Sequence, residues 1–291
     1  MNFKQVSDSS TLQSTYTLAN GVTIPCLGFG TWQMPEGEAT EEAVCNAIQA
    51  GYRHIDTAQA YGNERSVGKG VKKSGVKREE LFITTKLWNS RRGYEDTKAA
   101  IEESLQKLDM DYIDLFLIHW PNPIAFRDNW KELNGESYRA IEEYYHSGKI
   151  KAIGISNFRP HHIDALLETA TVVPMVNQIR LCPGDVETDI VDYCREKNIL
   201  LEAYSPLGTG KALEVQELQD LGKKYSKLPA QVCIRWSLQM GFLPLPKTLN
   251  AGRIKENADV FGFSLTDEEV TLLANLTGKC GVSVDPDTAK F

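Results

Sequence analysis

A (β/α)8 barrel, one domain over residues 1–291, is the fold class this sequence predicts, and three observations predict it. Short apolar runs alternate with amphipathic segments along the whole chain, eight rounds of each. The repeating units are near-equal in length, with no linker, low-complexity tract or solenoid repeat between them. The residues closing the apolar runs, where barrel enzymes keep their chemistry, are polar or ionisable. Alternation implies a parallel sheet. Near-equal units favour closure, which leaves no edge strand, over the open doubly wound sheet that alternation alone would also allow.

The elements follow in order. A hairpin over 15–25 is expected to cap the barrel bottom, with Asn20-Gly21 as its tight turn, and residues 1–14 ahead of it are expected to be disordered. Strands are expected at 27–30, 54–57, 82–86, 113–119, 152–156, 175–179, 200–204 and 243–246. Between them, apolar residues spaced by three and four predict helices at 38–50, 63–74, 95–108, 136–147, 160–169, 185–197, 212–225 with 230–240, and 253–261. Gly51, Gly75 and Gly148 follow three of these helices as left-handed C-terminal residues.

With 32 basic against 39 acidic residues, the net charge of −7 gives the chain no electrostatic reason to seek nucleic acid or an anionic membrane. No stretch reads as a membrane span, and Met1 to Ser10 lack the apolar run of a signal peptide. The six cysteines are scattered, none spaced Cys-x-x-Cys, which fits buried thiols in a reducing cytoplasm. A monomer is expected, since no apolar stripe exceeds the needs of a core. Gly28-Phe-Gly30 lacks the third glycine of a dinucleotide fingerprint. Gly62…Gly68-Lys69-Gly70 lacks the spacing and hydroxyl of a P-loop. No histidine spacing suits a metal, so no metal site is expected.

The strand ends are Asp56, Lys86, His119, Ser156-Asn157, Gln178, Tyr204 and Lys247. Asp56 and Lys86 close adjacent strands and Tyr61 lies five residues past Asp56. A lysine beside a phenol lowers its pKa, and a carboxylate behind the lysine keeps it charged, which suits Tyr61 to general-acid work. His119 on the same rim is expected to be a neutral imidazole that orients a substrate oxygen. Lys247 and Arg253, with Thr248 between them at a helix start, form an anion site where barrels commonly bind phosphate.

Three stretches carry a resemblance: Gly51-Tyr-Arg-His-Ile-Asp-Thr-Ala-Gln-Ala-Tyr-Gly-Asn-Glu64, Leu105-Gln-Lys-Leu-Asp-Met-Asp-Tyr-Ile-Asp-Leu-Phe-Leu-Ile-His-Trp-Pro121, and Leu245-Pro-Lys-Thr248 followed by Arg253-Ile-Lys-Glu-Asn257. In these the chain resembles the aldo-keto reductases over about residues 15 to 286, nearest their short bacterial 2,5-diketogluconate reductase-like members. The resemblance implies a barrel that binds NADPH without a Rossmann fold and reduces small aldehydes, ketones, dicarbonyls or keto-sugars. It implies a catalytic tetrad of Asp56, Tyr61, Lys86 and His119, the four that the rim argument selects. It implies nicotinamide contacts from Ser156, Asn157 and Gln178 with Tyr204 stacked on the ring, further cofactor contacts from Thr31, Trp32 and Asp56, and pyrophosphate contacts from Ser205, Leu207 and Thr209. The 2′-phosphate and adenine fall to Lys247, Thr248, Arg253, Glu256 and Asn257. Trp32, Trp88 and Trp120, with Tyr61 and His119, wall the substrate pocket. Two departures stand out: Thr248 replaces a common serine but keeps the hydroxyl, and the stretch after Pro286 is short where longer members shape specificity. Two rival readings stay open, a catalytically quiet barrel serving as a nucleotide-binding regulatory subunit, and a lyase or isomerase using the anion site on substrate.

Overall fold

The computed structural model describes residues 10–291. Eight parallel strands succeed one another in chain order: β3 (Phe29–Gly30), β4 (His54–Asp56), β5 (Phe82–Leu87), β6 (Ile113–Ile118), β7 (Ile150–Ser156), β8 (Val176–Arg180), β9 (Leu200–Tyr204) and β10 (Leu243–Leu245). Gly28 and Gly30 N–H donate to the carbonyls of Pro244 and Pro246, both at 3.1 Å, and so join the first barrel strand to the last. Every residue of β4, β5, β6, β8 and β10 is buried, as expected of parallel strands covered on both faces. The barrel is the expected one, and the open sheet is not formed.

Ahead of the barrel, β1 (Thr15–Thr17) and β2 (Thr23–Pro25) make the expected hairpin. Its turn is longer than the two-residue turn expected at Asn20-Gly21. Leu18 N–H donates to Val22 O at 2.8 Å, and Gly21 takes φ +85° to close a three-residue loop. Tyr16 Oη donates to Phe242 O, and Asn20 Nδ2 to Lys151 O, so the hairpin sits at the N-terminal ends of the barrel strands. Of the lead-in expected to be disordered, residues 1–9 lie outside the described residues. Residues 10–14 are tied down: Gln13 Nε2 donates to Gly51 O and Cys26 N–H to Ser14 O.

The helices are α1 (Glu38–Gln49), α2 (Glu64–Ser74), α3 (Tyr94–Leu108), α4 (Trp130–His146), α5 (Pro160–Leu167), α6 (Thr188–Glu196), α7 (Gln216–Tyr225), α8 (Pro229–Gln239), α9 (Ala251–Ala258) and α10 (Asp267–Ala274). Three of the boundaries that differ from expectation have a visible cause. α4 starts six residues earlier than expected, and Asn134 and Gly135 are accommodated inside it. Asn134 Nδ2 donates to Pro121 O, and Gly135 lies where a Cβ would come 2.8 Å from Thr169 Oγ1. α6 starts later, because Asp185 is committed to Arg180 and to Ser283. The segment expected as one helix from 212 is broken at Val215, whose extended backbone separates a 3-10 stretch from α7. α10 was not expected from its weak apolar pattern. Its start carries a reciprocal Thr266–Glu269 capping box, a signal legible in Thr-Asp-Glu-Glu. All six cysteines are free and buried, and among the described residues no helix is long and apolar enough to cross a membrane.

Close packing inside the barrel explains Gly154 in β7. A Cβ there would stand 2.5 Å from Val176 O on the neighbouring strand and 2.8 Å from Leu117 Cδ2. Backbone cannot give way as a flexible side chain does, so Gly154→Ala is expected to cost about 1–3 kcal/mol of stability, read as a lowered denaturant midpoint with unchanged slope.

Candidate active site

Four polar side chains meet at the C-terminal rim of β4, β5 and β6. Asp56 is the last residue of β4, Lys86 lies one residue before the end of β5, and His119 follows β6 directly. Tyr61 reaches them from a 3-10 turn, Gln59–Tyr61, closed by Gly62 at φ +68°. The turn is anchored on both sides. Gln59 Nε2 donates to Ala100 O and Ser104 Oγ while its oxygen accepts Trp88 N–H, and Thr57 Oγ1 donates to Asn63 Oδ1. Asn63 in turn donates to Thr31 O and Met34 O, pinning the exit of β3 to the turn. Gln59, half-buried, and Asn63, buried, were missed in the sequence because such amides resemble ordinary loop polars there.

Lys86 is wholly buried, and its ammonium donates to Asp56 Oδ1 and Oδ2 and to Thr57 O, each at 2.8 Å, and to Tyr61 Oη at 3.3 Å. Burial works against that charge, but Asp56 and Tyr61 outweigh it and hold Lys86 above the ordinary lysine range. The expectation that Lys86 would bring the phenol down is corrected. Burial dominates at Tyr61 and holds it above its ordinary value, with the Lys86 charge and hydrogen bond pulling the other way. Tyr61 is therefore a proton-bearing phenol next to a fixed cation. Burial, then the charges of Lys86 and Arg92, holds His119 well below the usual histidine range, so its imidazole is neutral. That ring packs edge-on to Tyr61 and to Trp88, at centroid distances of 5.8 and 5.5 Å.

The expected cofactor residues line the same rim. Thr31 donates through both N–H and Oγ1 to Asp56 O, while Trp32 beside it is exposed. Ser156 Oγ donates to Gln178 O at 2.7 Å. Asn157, at φ +62°, donates to His119 O and to Ser156 Oγ and accepts from Tyr204 Oη at 2.8 Å. Ser205 and Thr209 also take positive φ, flanking Leu207 in the turn after β9. Lys247 and Thr248 lie in the loop after β10, with Arg253, Glu256 and Asn257 on α9; of these Asn257 is buried. The Lys247 and Arg253 side chains are exposed and enter no ion pair among the described residues, an uncompensated pair of cations whose chemistry fits a phosphate. Asn250 Oδ1 caps Arg253 N–H at the start of α9. Trp120, next in the chain after His119, meets the Phe291 ring edge-on at 4.6 Å.

Beneath this rim lies a buried acid that sequence reasoning missed. Glu202, two residues before Tyr204 on β9, accepts from Gln178 Nε2 at 2.7 Å. The alternation of β9 could have placed it inward, but an acid inside a barrel is not expected from pattern alone. A second cluster, His161, His162 and Asp287, brings three ligand-type side chains within 4.8 Å of one another. His162 Nδ1 accepts Arg159 N–H, so Nε2 carries the proton and donates to Asp287 Oδ1 at 2.9 Å. With Asn122 Nδ2 on the same carboxylate, this is a clasp for the C-terminal segment rather than a cation's donor set.

A model described as the aldo/keto reductase family matches residues 26–277. The chain is 46% identical over 274 residues to a 9,11-endoperoxide prostaglandin H2 reductase of Trypanosoma cruzi, covering 93% of this chain and 94% of that one. It is 45% identical to a glyoxal reductase of Bacillus subtilis, covering 97% of this chain and 99% of that one. Among solved structures, an aldo-keto reductase of Bombyx mori in complex with NADP matches with a TM-score of 0.84 at 33% identity, over 93% of this chain and 94% of that one.

The electrostatics of the rim carry their own check. Because the folded protein lowers the pKa of His119, protonation is pushed below the ordinary range, and the neutral ring persists at any pH above it. Resonances of His119 in a 15N NMR titration are expected to stay those of a neutral ring through the ordinary histidine titration range; a midpoint near the ordinary histidine value would contradict this environment.

Proposed function

Because the chain belongs to the aldo/keto reductase family, and is an NADP-dependent oxidoreductase of carbonyl groups, we propose that it reduces small aldehydes, ketones and dicarbonyls to alcohols with Tyr61 as the proton donor. The observation that carries this reading is the Lys86 ammonium held at once by Asp56 and Tyr61 Oη, with the His119 ring against the phenol.

NADPH, when bound, supplies the hydride. The work of this chain is to seat the cofactor and to handle the proton. Lys247, Thr248 and Arg253 would hold its 2′-phosphate, with Glu256 and Asn257 beside the adenine. Ser205 and Leu207 would meet the pyrophosphate, and Thr31, Trp32, Ser156, Asn157, Gln178 and Tyr204 the nicotinamide end. Tyr61 Oη gives its proton to the substrate oxygen as negative charge develops there. Lys86 stabilises the phenolate left behind and Asp56 holds Lys86 in place. His119, being neutral, offers a ring N–H to the carbonyl oxygen without adding a second cation, and so fixes its orientation. Trp88 and Trp120 supply apolar walls, and Trp32 the exposed lip.

The glyoxal reductase likeness supports small dicarbonyls as substrates. The buried free thiols favour a reducing compartment, the cytoplasm, and one barrel domain acting as a monomer is the assembly we propose.

Tyr61→Phe keeps the ring and removes the proton. It is expected to cut turnover of a generic aldehyde by at least about a hundredfold, while NADPH still quenches protein fluorescence with unchanged affinity. Near-native turnover would remove Tyr61 from its role. Loss of either cation, Lys247→Ala or Arg253→Ala, is expected to erode the preference for NADPH over NADH by about tenfold or more, since a charge-assisted bond is worth about 1.5–3 kcal/mol. Equal dissociation constants for the two cofactors in the unmutated protein would remove the phosphate site.

A further inference from the structure

Glu202 is fully buried and belongs to no part of the proton-handling group above. It lies directly beside Gln178 in the β8–β9 register, and Gln178 Nε2 spends one proton on Glu202 Oε2 at 2.7 Å and the other on Asp56 Oδ2 at 2.8 Å. One amide thus bridges the carboxyl group of β9 to the carboxylate of β4 across the barrel. With both N–H groups turned inward, the amide oxygen is what Gln178 has left to offer a ligand at the rim.

The surroundings of Glu202 decide its charge. The titratable or charged groups facing it are His54 and Asp56 from β4 and Lys86 from β5. On β8 the charged residue is Arg180, which lies beside Tyr204 in the register and is engaged with Asp185, and β3 and β10 carry none. His54 Nε2 stands 3.7 Å from Glu202 Oε1, but it is bonded to Thr84 Oγ1 at 2.9 Å, and burial, then Lys86, pushes its pKa down to about 3. Glu202 Oε1 has no hydrogen-bond partner, and Lys86 is committed to Asp56, Thr57 and Tyr61. An ionised carboxylate here would be an uncompensated buried charge, which proteins avoid by keeping the proton.

We propose that Glu202 is a positioning residue that clamps the Gln178 amide against Asp56 and thereby holds the Asp56–Lys86 pair in place under Tyr61. At neutral pH it does so as an acid, accepting from Gln178 without adding a second negative charge. Burial, then the Asp56 charge, pushes its pKa up to about 8, so it ionises on the alkaline side. Ionisation sets a second anion behind Lys86. That anion strengthens the hold on the ammonium proton and makes the Tyr61 phenolate harder to form.

The inference rests on the proposed role of Tyr61, and the experiment separates the two. Tyr61→Phe is measured first; native turnover in that variant sinks the reading of the site itself. With Tyr61 established, Glu202→Gln supplies a neutral isostere of the protonated acid. It is expected to keep neutral-pH turnover and the NADPH dissociation constant, read from protein fluorescence, within about threefold of the unmutated protein. It cannot ionise, so the alkaline break in the pH profile of alcohol oxidation, the direction that needs the phenolate, should move to lower pH by about half a unit or more. Glu202→Ala, which frees the amide, is expected to lose about tenfold in turnover and to weaken NADPH binding. In infrared spectra of the cofactor-free protein, a buried carboxylic-acid carbonyl band should be present at pH 7 and absent in Glu202→Gln. An unmoved pH break in Glu202→Gln overturns the proposal whatever the alanine variant does, and should the alanine variant fail to fold, the glutamine variant decides alone.

Discussion

A lysine with no exposed surface is the constraint around which this barrel is organised. Removing an ammonium from water costs several kcal/mol, and the cost is met only if the charge finds an opposite charge and all its protons find acceptors. Lys86 finds both carboxylate oxygens of Asp56, the carbonyl of Thr57 and the phenol of Tyr61. Each of these must arrive from a different direction, so β4, β5 and the turn after β4 have fixed relative positions. The anchoring of that turn by Gln59 and Asn63 is the same requirement one layer out. What would be an expensive burial in a purely structural core is here the source of a directed, permanent positive field at a phenol.

The interior beneath is polar but sparingly charged. Asp56 faces Lys86, and deeper groups are kept neutral by their surroundings: His54 through burial beside Lys86, and Glu202 through burial beside Asp56. A neutral lower layer leaves one ion pair dominating the field at the rim. Gln178 is the joint between the layers, since one amide touches both.

Much of this was legible in the sequence, for reasons that residues make plain. Asp56, Lys86 and His119 close apolar runs, and in a barrel the ends of such runs converge, so periodicity alone brought them together. Tyr61 was legible by its distance from Asp56. The bonds of the seam were not legible: 27–30 reads as a strand, but nothing in it states that Gly28 and Gly30 bond to Pro244 and Pro246. Glu202 was hidden because its partner is contributed by a strand whose register the sequence does not state. The direction of the Tyr61 shift was misjudged for a similar reason: the pairing with Lys86 can be foreseen, whereas the depth of burial that outweighs it is a property of the packed whole. α10 was missed although its capping residues were in plain view.

The seam and the C-terminal clasp have a bearing on how the chain is made. The strand holding Gly28 and Gly30 bonds to residues more than two hundred positions later, and Trp120 meets Phe291. A chain emerging from the ribosome can build its middle units early, but the ring stays unjoined until Pro244 and Pro246 have emerged and travelled back. Contacts of such wide sequence separation carry a heavy loop-closure entropy and slow the last step of assembly. A half-made copy would therefore expose its apolar strands while the ring is open, so its vulnerable interval falls during translation.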